Sequence, residues 1–295
     1  MFRKLAVALI APLVAVTACS DDGDQSQRVE AGDTEAAIAA LRSAPDTAAE
    51  AGSGRLVMTV GFEVDGQPFE LSTTGVFTGT RARMEMDFGE LLAAQAPDDE
   101  LPPGLDEPMI VVVDGTATYM RMPMLDALTG TSGWLSMTPE DLGLAGDALG
   151  IGFGPSNNPT QMMEALRGIS DDIEELGTEE VRGEPTTHYR TVVDLERAVE
   201  QVPEALKPLI EAQLGALGST LTVDVWLGDD GLVRRLSMDM SGLLAIASAE
   251  SGQTMEGGEM VIEYFDYGAD IEVDIPDPED TTPFLEVLGG LQGGS

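Results

Sequence analysis

The segment Arg81-Ala82-Arg83-Met84-Glu85-Met86-Asp87-Phe88 alternates without a fault, with charges on odd positions and apolar side chains on even ones. Successive side chains of a strand point to opposite faces, so this pattern specifies a strand with one dry face and one wet face. Leu56 to Val64 follows the same repeat, with Leu56, Met58, Val60, Phe62 and Val64 all apolar, and Asp65-Gly66 after it is a hairpin signal. Phe69, Leu71 and Phe77 then alternate with Glu70, Ser72 and Thr78. Three consecutive strands of this kind form an antiparallel meander.

Downstream, the acidic, Pro-rich stretch Ala96 to Pro108 reads as a loop, and Met109 to Val113, Asp114-Gly115 and Thr116 to Met122 as a further hairpin. Met124 to Leu149 is irregular and partly helical, with Trp134 and Leu135 in a short extended piece, and Gly150 to Pro159 is a loop. The second half repeats the strand pattern: Ile173 to Arg182, a turn at Gly183-Glu184, Thr186 to Val193, Leu221 to Leu227, a turn at Asp229-Asp230-Gly231, Leu232 to Met240, and Met260 to Tyr267. Three helical segments are expected. One starts at Asp33, with Asp33 or Thr34 as cap, and ends before Pro45. A second covers Thr160 to Arg167 and is capped by Gly168. The third, Leu195 to Gly218, is interrupted near Pro203, and its second part places Leu206, Leu209, Ile210, Leu214 and Leu217 on one face. About ten antiparallel strands with helices between hairpins, and no dividing linker, give one α+β domain.

Composition narrows the function. The 295 residues hold 15 Lys+Arg against 53 Asp+Glu, a formal charge of −38, and the cations form no cluster. A nucleic-acid partner requires a basic footprint and is excluded. Apolar residues make up 43% of the chain, enough to build a core despite the charge. The single Cys19 supports neither a disulfide nor a Cys-based metal site. His188, the one histidine, shares a face with Arg190, opposite Thr187, Tyr189, Thr191 and Val193, and is expected to face solvent. No Gly-x-Ser-x-Gly elbow or phosphate loop accompanies it. The carboxylate clusters Asp98-Asp99-Glu100 and Asp277 to Asp280 lack the spacing of a Ca²⁺ loop and read as solvated. No catalytic residue, cofactor or metal is therefore expected, and the chain reads as something other than an enzyme.

At the N-terminus, Arg3 and Lys4 precede an apolar run, Leu5 to Ala18, that contains Pro12 and is too short for a bilayer core of about 30 Å. It ends at Val16-Thr17-Ala18-Cys19, which resembles the bacterial lipobox, and a polar segment, Ser20 to Gln27, follows as a tether. The resemblance implies a signal peptide over residues 1–18, acylation of Cys19, and stable anchoring to the outer face of the cell membrane, since two or more acyl chains hold where one does not.

Nine of the fifteen methionines fall in expected strands, most at the apolar parity. Strand interiors usually favour β-branched and aromatic residues, so Met in their place gives a deformable lining that adapts to an irregular guest. The same residues equally suit a close-packed core, and periodicity does not separate the two.

Two segments carry a resemblance to a known family. Glu175-Leu176-Gly177-Thr178-Glu179-Glu180-Val181-Arg182-Gly183-Glu184-Pro185-Thr186-Thr187-His188-Tyr189-Arg190 and Val223-Asp224-Val225-Trp226-Leu227-Gly228-Asp229-Asp230-Gly231-Leu232-Val233-Arg234-Arg235-Leu236 resemble the actinobacterial LppX/LprG-type envelope lipoproteins, relatives of the LolA-like carriers. The match follows the order of elements over most of residues 33 to 275, with a long insertion from Met124 to Pro159. It implies a strongly curved antiparallel half-barrel whose concave face is covered by helices and encloses an apolar cavity. It further implies binding of a lipid or acylated glycolipid, carriage within the envelope, and an exporter as a protein partner. The division implied is a tether over 19–32, a single lipid-binding domain over 33–280 and a Gly-rich tail over 281–295. The cavity lining is then expected at Met58, Val60, Phe62, Met84, Met86, Met120, Met122, Leu236, Met238, Met240, Met260 and Ile262, with Leu206, Leu209, Ile210, Leu214 and Leu217 on a lid helix. The competing reading is a non-transporting envelope sensor or scaffold with a filled core. Replacing Cys19 by Ala is expected to move the protein from the membrane fraction to the soluble fraction on cell fractionation.

Overall fold

The structure, a computed structural model, describes residues 31–88, 107–115, 117–123, 133–138, 141, 163–194, 220–242, 244–245, 248 and 252–287. The lipobox with Cys19, the tether, and the helix expected around Leu206 to Leu217 lie outside the described residues, as does the Asp98-Asp99-Glu100 loop.

One helix, α1 (Ala31–Ala51), opens the described chain. Ala37, Leu41, Ala44 and Ala48 recur three and four residues apart and are buried, so a stripe of mostly small residues lets the helix approach the sheet closely. Contrary to expectation the helix does not end before Pro45 but contains it. The proline is buried beside Leu41 and Ala44 on the packed face, and this burial offsets the one intrahelical hydrogen bond that the ring removes. The helix stops at Gly52, whose positive φ of 79° is a left-handed conformation and whose N–H donates to the Ala48 carbonyl at 3.2 Å.

Twelve strands follow: β1 (Ser53–Val64), β2 (Gln67–Thr78), β3 (Arg81–Asp87), β4 (Met109–Asp114), β5 (Ala117–Arg121), β6 (Trp134–Met137), β7 (Ile169–Val181), β8 (Glu184–Asp194), β9 (Thr220–Gly228), β10 (Val233–Asp239), β11 (Met255–Phe265) and β12 (Thr281–Pro283). They form one sheet in the order β12-β6-β5-β4-β3-β2-β1-β11-β10-β9-β8-β7. Two meanders, β1 to β6 and β7 to β11, are thus joined by the antiparallel pairing of β1 with β11. The sheet is open and curved, and residues from β3 to β6 and from β7 to β10 meet in a single core with α1.

Twelve strands stand where about ten were expected, and the additions sit at one edge. Trp134–Met137 is a full strand, and Thr281–Pro283 pairs with it in parallel. A three-residue strand is too short to show a period. Beyond it Phe284 and Val287 are buried, so the packed part of the chain continues past residue 280. The strand β11 begins five residues earlier than expected. Gly257 and Gly258 there have φ of 73° and 104°, and the register with β1 shifts between Gly61 and Glu63, which hides the alternation. The turn after β7 is Arg182-Gly183, with φ of 52° and 84°, one residue ahead of the expected Gly183-Glu184. Gly168 is the last residue of a 3-10 turn, Ala165–Gly168, from which the chain passes directly into β7, rather than a left-handed cap.

The wet face binds its few cations to carboxylates across strands. Arg81 meets Asp114 at 3.0 Å, Arg190 meets Asp224 at 2.8 Å, and Arg182 and Arg235 converge on Glu263 at 2.8 and 2.7 Å. Arg167 bridges from the 3-10 turn to Asp46 of α1 at 2.8 Å, and its guanidinium holds the Asp46 carboxyl below its ordinary value.

Two substitutions test this packing. Leu41→Ala is expected to cost about 2–5 kcal/mol in a denaturant titration, as for a fully buried Leu in a tight core. A Cβ at residue 54 would lie 2.6 Å from the Phe77 ring, so Gly54→Ala is expected to cost about 1–3 kcal/mol by overpacking.

Candidate apolar binding face

Strand register assembles the dry face into rows that run across six to eight neighbouring strands. In the first row Leu135, Met120, Val111, Met84, Gly75, Leu56 and Tyr264 are successive partners. In the second the partners are Met109, Met86, Thr73, Met58, Ile262, Leu236, Val225 and Tyr189. In the third they are Leu71, Val60, Met260, Met238, Val223 and Thr191.

The rows differ in how far they are covered. Every side chain of the first row is buried, and a Cβ on its one glycine, Gly75, would lie 3.1 Å from Leu56. The helix α1 closes this end with Leu41, Ala44 and Ala48. An aromatic plug completes it: Phe77 meets Tyr264 and Tyr267 edge-on at 6.4 and 6.1 Å, and the Tyr267 hydroxyl donates to the Val233 carbonyl at 2.8 Å. Burial pushes both phenols well above their ordinary value, so they stay neutral. In the second row Met58 and, at the β8 end, Tyr189 are only half-buried. In the third, Leu71, Val60, Met260 and Met238 are all half-buried. One dry face is therefore filled at the α1 end and accessible at the other.

Of the twelve residues expected to line a cavity, Met84, Met86, Met120, Met122, Leu236 and Ile262 lie inside the packed core. Met58, Met238 and Met260 pack against its margin. Val60, Phe62 and Met240 are half-buried and outside it; Phe62 rests against Phe69, with ring centroids 6.0 Å apart. Sequence reasoning passed over Thr73. It is polar, but its spacing of two from Leu71 and Gly75 places it on the dry face, and this was the available signal.

His188 shares the opposite face with Arg190 as expected, but solvent reaches little of it, since its side chain is only 15% exposed. The ring stacks on Trp226 at 4.0 Å and 15°, with Nδ1 3.1 Å from Glu179 Oε1 and Nε2 3.2 Å from Asp224 Oδ1. Strand pairing causes this: His188, Trp226, Arg235 and Glu263 are successive register partners, and the guanidinium of Arg235 lies 5.1 Å from the other side of the indole. Among the described residues no group of three or more His, Cys, Asp or Glu is placed to hold a metal ion. Asp277 instead caps the turn Pro278–Asp280, accepting from the Glu279 N–H at 3.1 Å. Among the described residues no helix is long and apolar enough to cross a membrane.

The architecture is that of an open α+β half-barrel with one dry face. No family model matches the chain. An uncharacterised 31.2 kDa protein from the rplA-rplJ intergenic region of Streptomyces griseus is 30% identical over 177 residues, covering 57% of this chain and 53% of the relative. The chain thus spans about half the length of that curated relative. Similar solved structures include the lipoprotein LppX of Mycobacterium tuberculosis, with a TM-score of 0.47 and 13% identity over 81% of this chain and 99% of that one. LprF of Mycobacterium bovis follows at a TM-score of 0.46 and 15% identity, covering 83% and 97%. A LolA superfamily protein of Nitrosomonas europaea has a TM-score of 0.30 and 10% identity, covering 83% and 96%.

Glu263 offers a test of the face opposite the site. Burial alone would push its carboxyl up, but hydrogen bonds and charge from Arg235 and Arg182 outweigh this and hold it below its ordinary value. A depressed carboxyl stabilises the fold above its unfolded pKa of about 4.3, and this contribution disappears as pH falls through the folded value. Glu263→Gln is expected to be less stable than the parent at pH 7, with the gap closing below a pH of about 4 in parallel urea titrations.

Proposed function

We propose that this chain is a membrane-anchored lipoprotein that binds a lipid or acylated glycolipid on its dry face and carries it within the cell envelope, held at the extracytoplasmic surface through acylated Cys19. The observation that carries this reading is the gradient of cover across the face. Met58, Val60, Leu71, Met238 and Met260 continue an apolar surface out of a filled core without being buried themselves. Laying an acyl chain along them removes apolar area on both sides, at about 0.8 kcal/mol for each methylene buried, so a chain of ordinary length supplies enough free energy for capture. The methionines accept variable chains because their side chains repack readily. The resemblance of the sequence to envelope lipoproteins supports the same class of ligand.

The filled first row favours a second reading, a sensor or scaffold of the envelope whose core holds no guest. Extraction of the natively expressed protein with organic solvent, followed by mass spectrometry, separates the two. A carrier is expected to yield an acyl lipid in near-stoichiometric amount, and a scaffold none. In parallel, Met238→Arg is expected to weaken binding of a fluorescent fatty-acyl probe by about tenfold or more, because an ionised group would have to enter the apolar contact. Met86 is unsuitable for this purpose: it is only 7% exposed, and a charge there would test folding rather than uptake.

A further inference from the structure

Apart from the phenol of Tyr189 at its β8 end, the row that borders the open end of the dry face contains one polar side chain. Thr73 is flanked in register by Met58 on β1 and Met86 on β3, and it is 1% exposed. Among the described residues its hydroxyl has no hydrogen-bond partner. Other buried hydroxyls behave differently: Thr186 donates to the Glu179 carbonyl at 2.7 Å, Thr191 to the Asp172 carbonyl at 3.2 Å, and Ser237 to a Glu259 carboxylate oxygen at 2.7 Å. A hydroxyl shut away from both water and protein acceptors is a cost that an isosteric Val would avoid. The burden falls at the boundary between the packed half of the face and the accessible half.

The chemistry of the surroundings selects what could satisfy it. Across all three rows no register partner of the dry face is a Lys or Arg. A phosphate or a free carboxylate brought there would be an uncompensated charge in an apolar setting, inside a protein of net charge −38. A neutral acceptor carries no such penalty. We propose that the Thr73 hydroxyl donates a hydrogen bond to the ester carbonyl of a bound neutral acyl ester, and so fixes how deep the ester sits while its chain lies over Met58, Met238 and Met260. This rests on the lipid-binding reading above and specifies its ligand as an ester rather than a free fatty acid or a phospholipid headgroup.

The test uses the full chain and two pyrene-labelled probes of equal chain length, the methyl ester of a fatty acid and the plain alkane. The parent is expected to bind the ester about three- to tenfold more tightly than the alkane, the range of a single buried hydrogen bond. Thr73→Val, which keeps the shape, is expected to bind the two equally, and Thr73→Ser to retain the preference. Should the Val variant fail to fold, Thr73→Ala removes the same donor and is read the same way. Equal binding of both probes by the parent, or an ester preference that survives loss of the hydroxyl, overturns the role of Thr73 while leaving lipid binding intact. Failure of the parent to bind either probe overturns the lipid-binding reading, and this inference with it.

Discussion

The pairing of β1 with β11 holds the two halves of the molecule together. From Arg55 opposite Phe265 to Val64 opposite Met255, it is the seam at which a six-stranded meander meets a five-stranded one. Each meander is local in sequence, whereas the seam joins residues about two hundred positions apart and carries the corresponding loop-closure entropy. Its reward is continuity of the dry face. Only through Leu56–Tyr264, Met58–Ile262 and Val60–Met260 do the apolar rows of the two halves become single rows. The buried edge-on contact of Tyr264 with Phe77 then ties the seam to β2.

Once the rows are continuous, the distribution of charge follows. A chain with 53 acidic residues can fold around an apolar face only if its charges are kept on the other one, and the alternation of β3 does this residue by residue. The scarce arginines reduce carboxylate repulsion on the wet face, one guanidinium often serving more than one neighbour. Arg235 both pairs with Glu263 and lies against the Trp226 indole, which in turn supports His188. These are mostly half-exposed contacts, each worth little alone. Their consequence is structural order on the outer face of β8 to β11, directly behind the strands that present Leu236, Met238 and Met260.

The features legible in the sequence were those with a strict period. The alternation of β1 and β3 marks their dry faces and the hairpin signals their meander with β2, but not the pairing of β1 with β11 or of β3 with β4. Residues whose behaviour is decided by distant neighbours escaped. Pro45 obeys its burial rather than the local rule that it ends a helix, and His188 is covered because Trp226 stands opposite it on β9. The strands β6 and β12 are too short to display alternation. The division of the dry face into filled and open halves was also illegible, because periodicity reports which way a side chain points and not what stands above it. Thr73 combines both difficulties, a polar residue on an apolar face whose isolation appears only when its neighbours are in place.

The residue types along the rows give the gradient a physical meaning. In the filled first row, Leu56, Val111, Leu135 and Tyr264 are buried together with Met84 and Met120, and a Cβ at Gly75 would lie 3.1 Å from Leu56. At the margin the face passes to Met58, Met238 and Met260, half-buried beside Val60 and Leu71, and the three rotatable bonds of each methionine let it repack. Methionine thus runs through both parts of the face: Met84, Met86, Met109 and Met120 are buried in the core, while Met58, Met238 and Met260 carry the same deformable side chain to the margin, where the cover above them is incomplete.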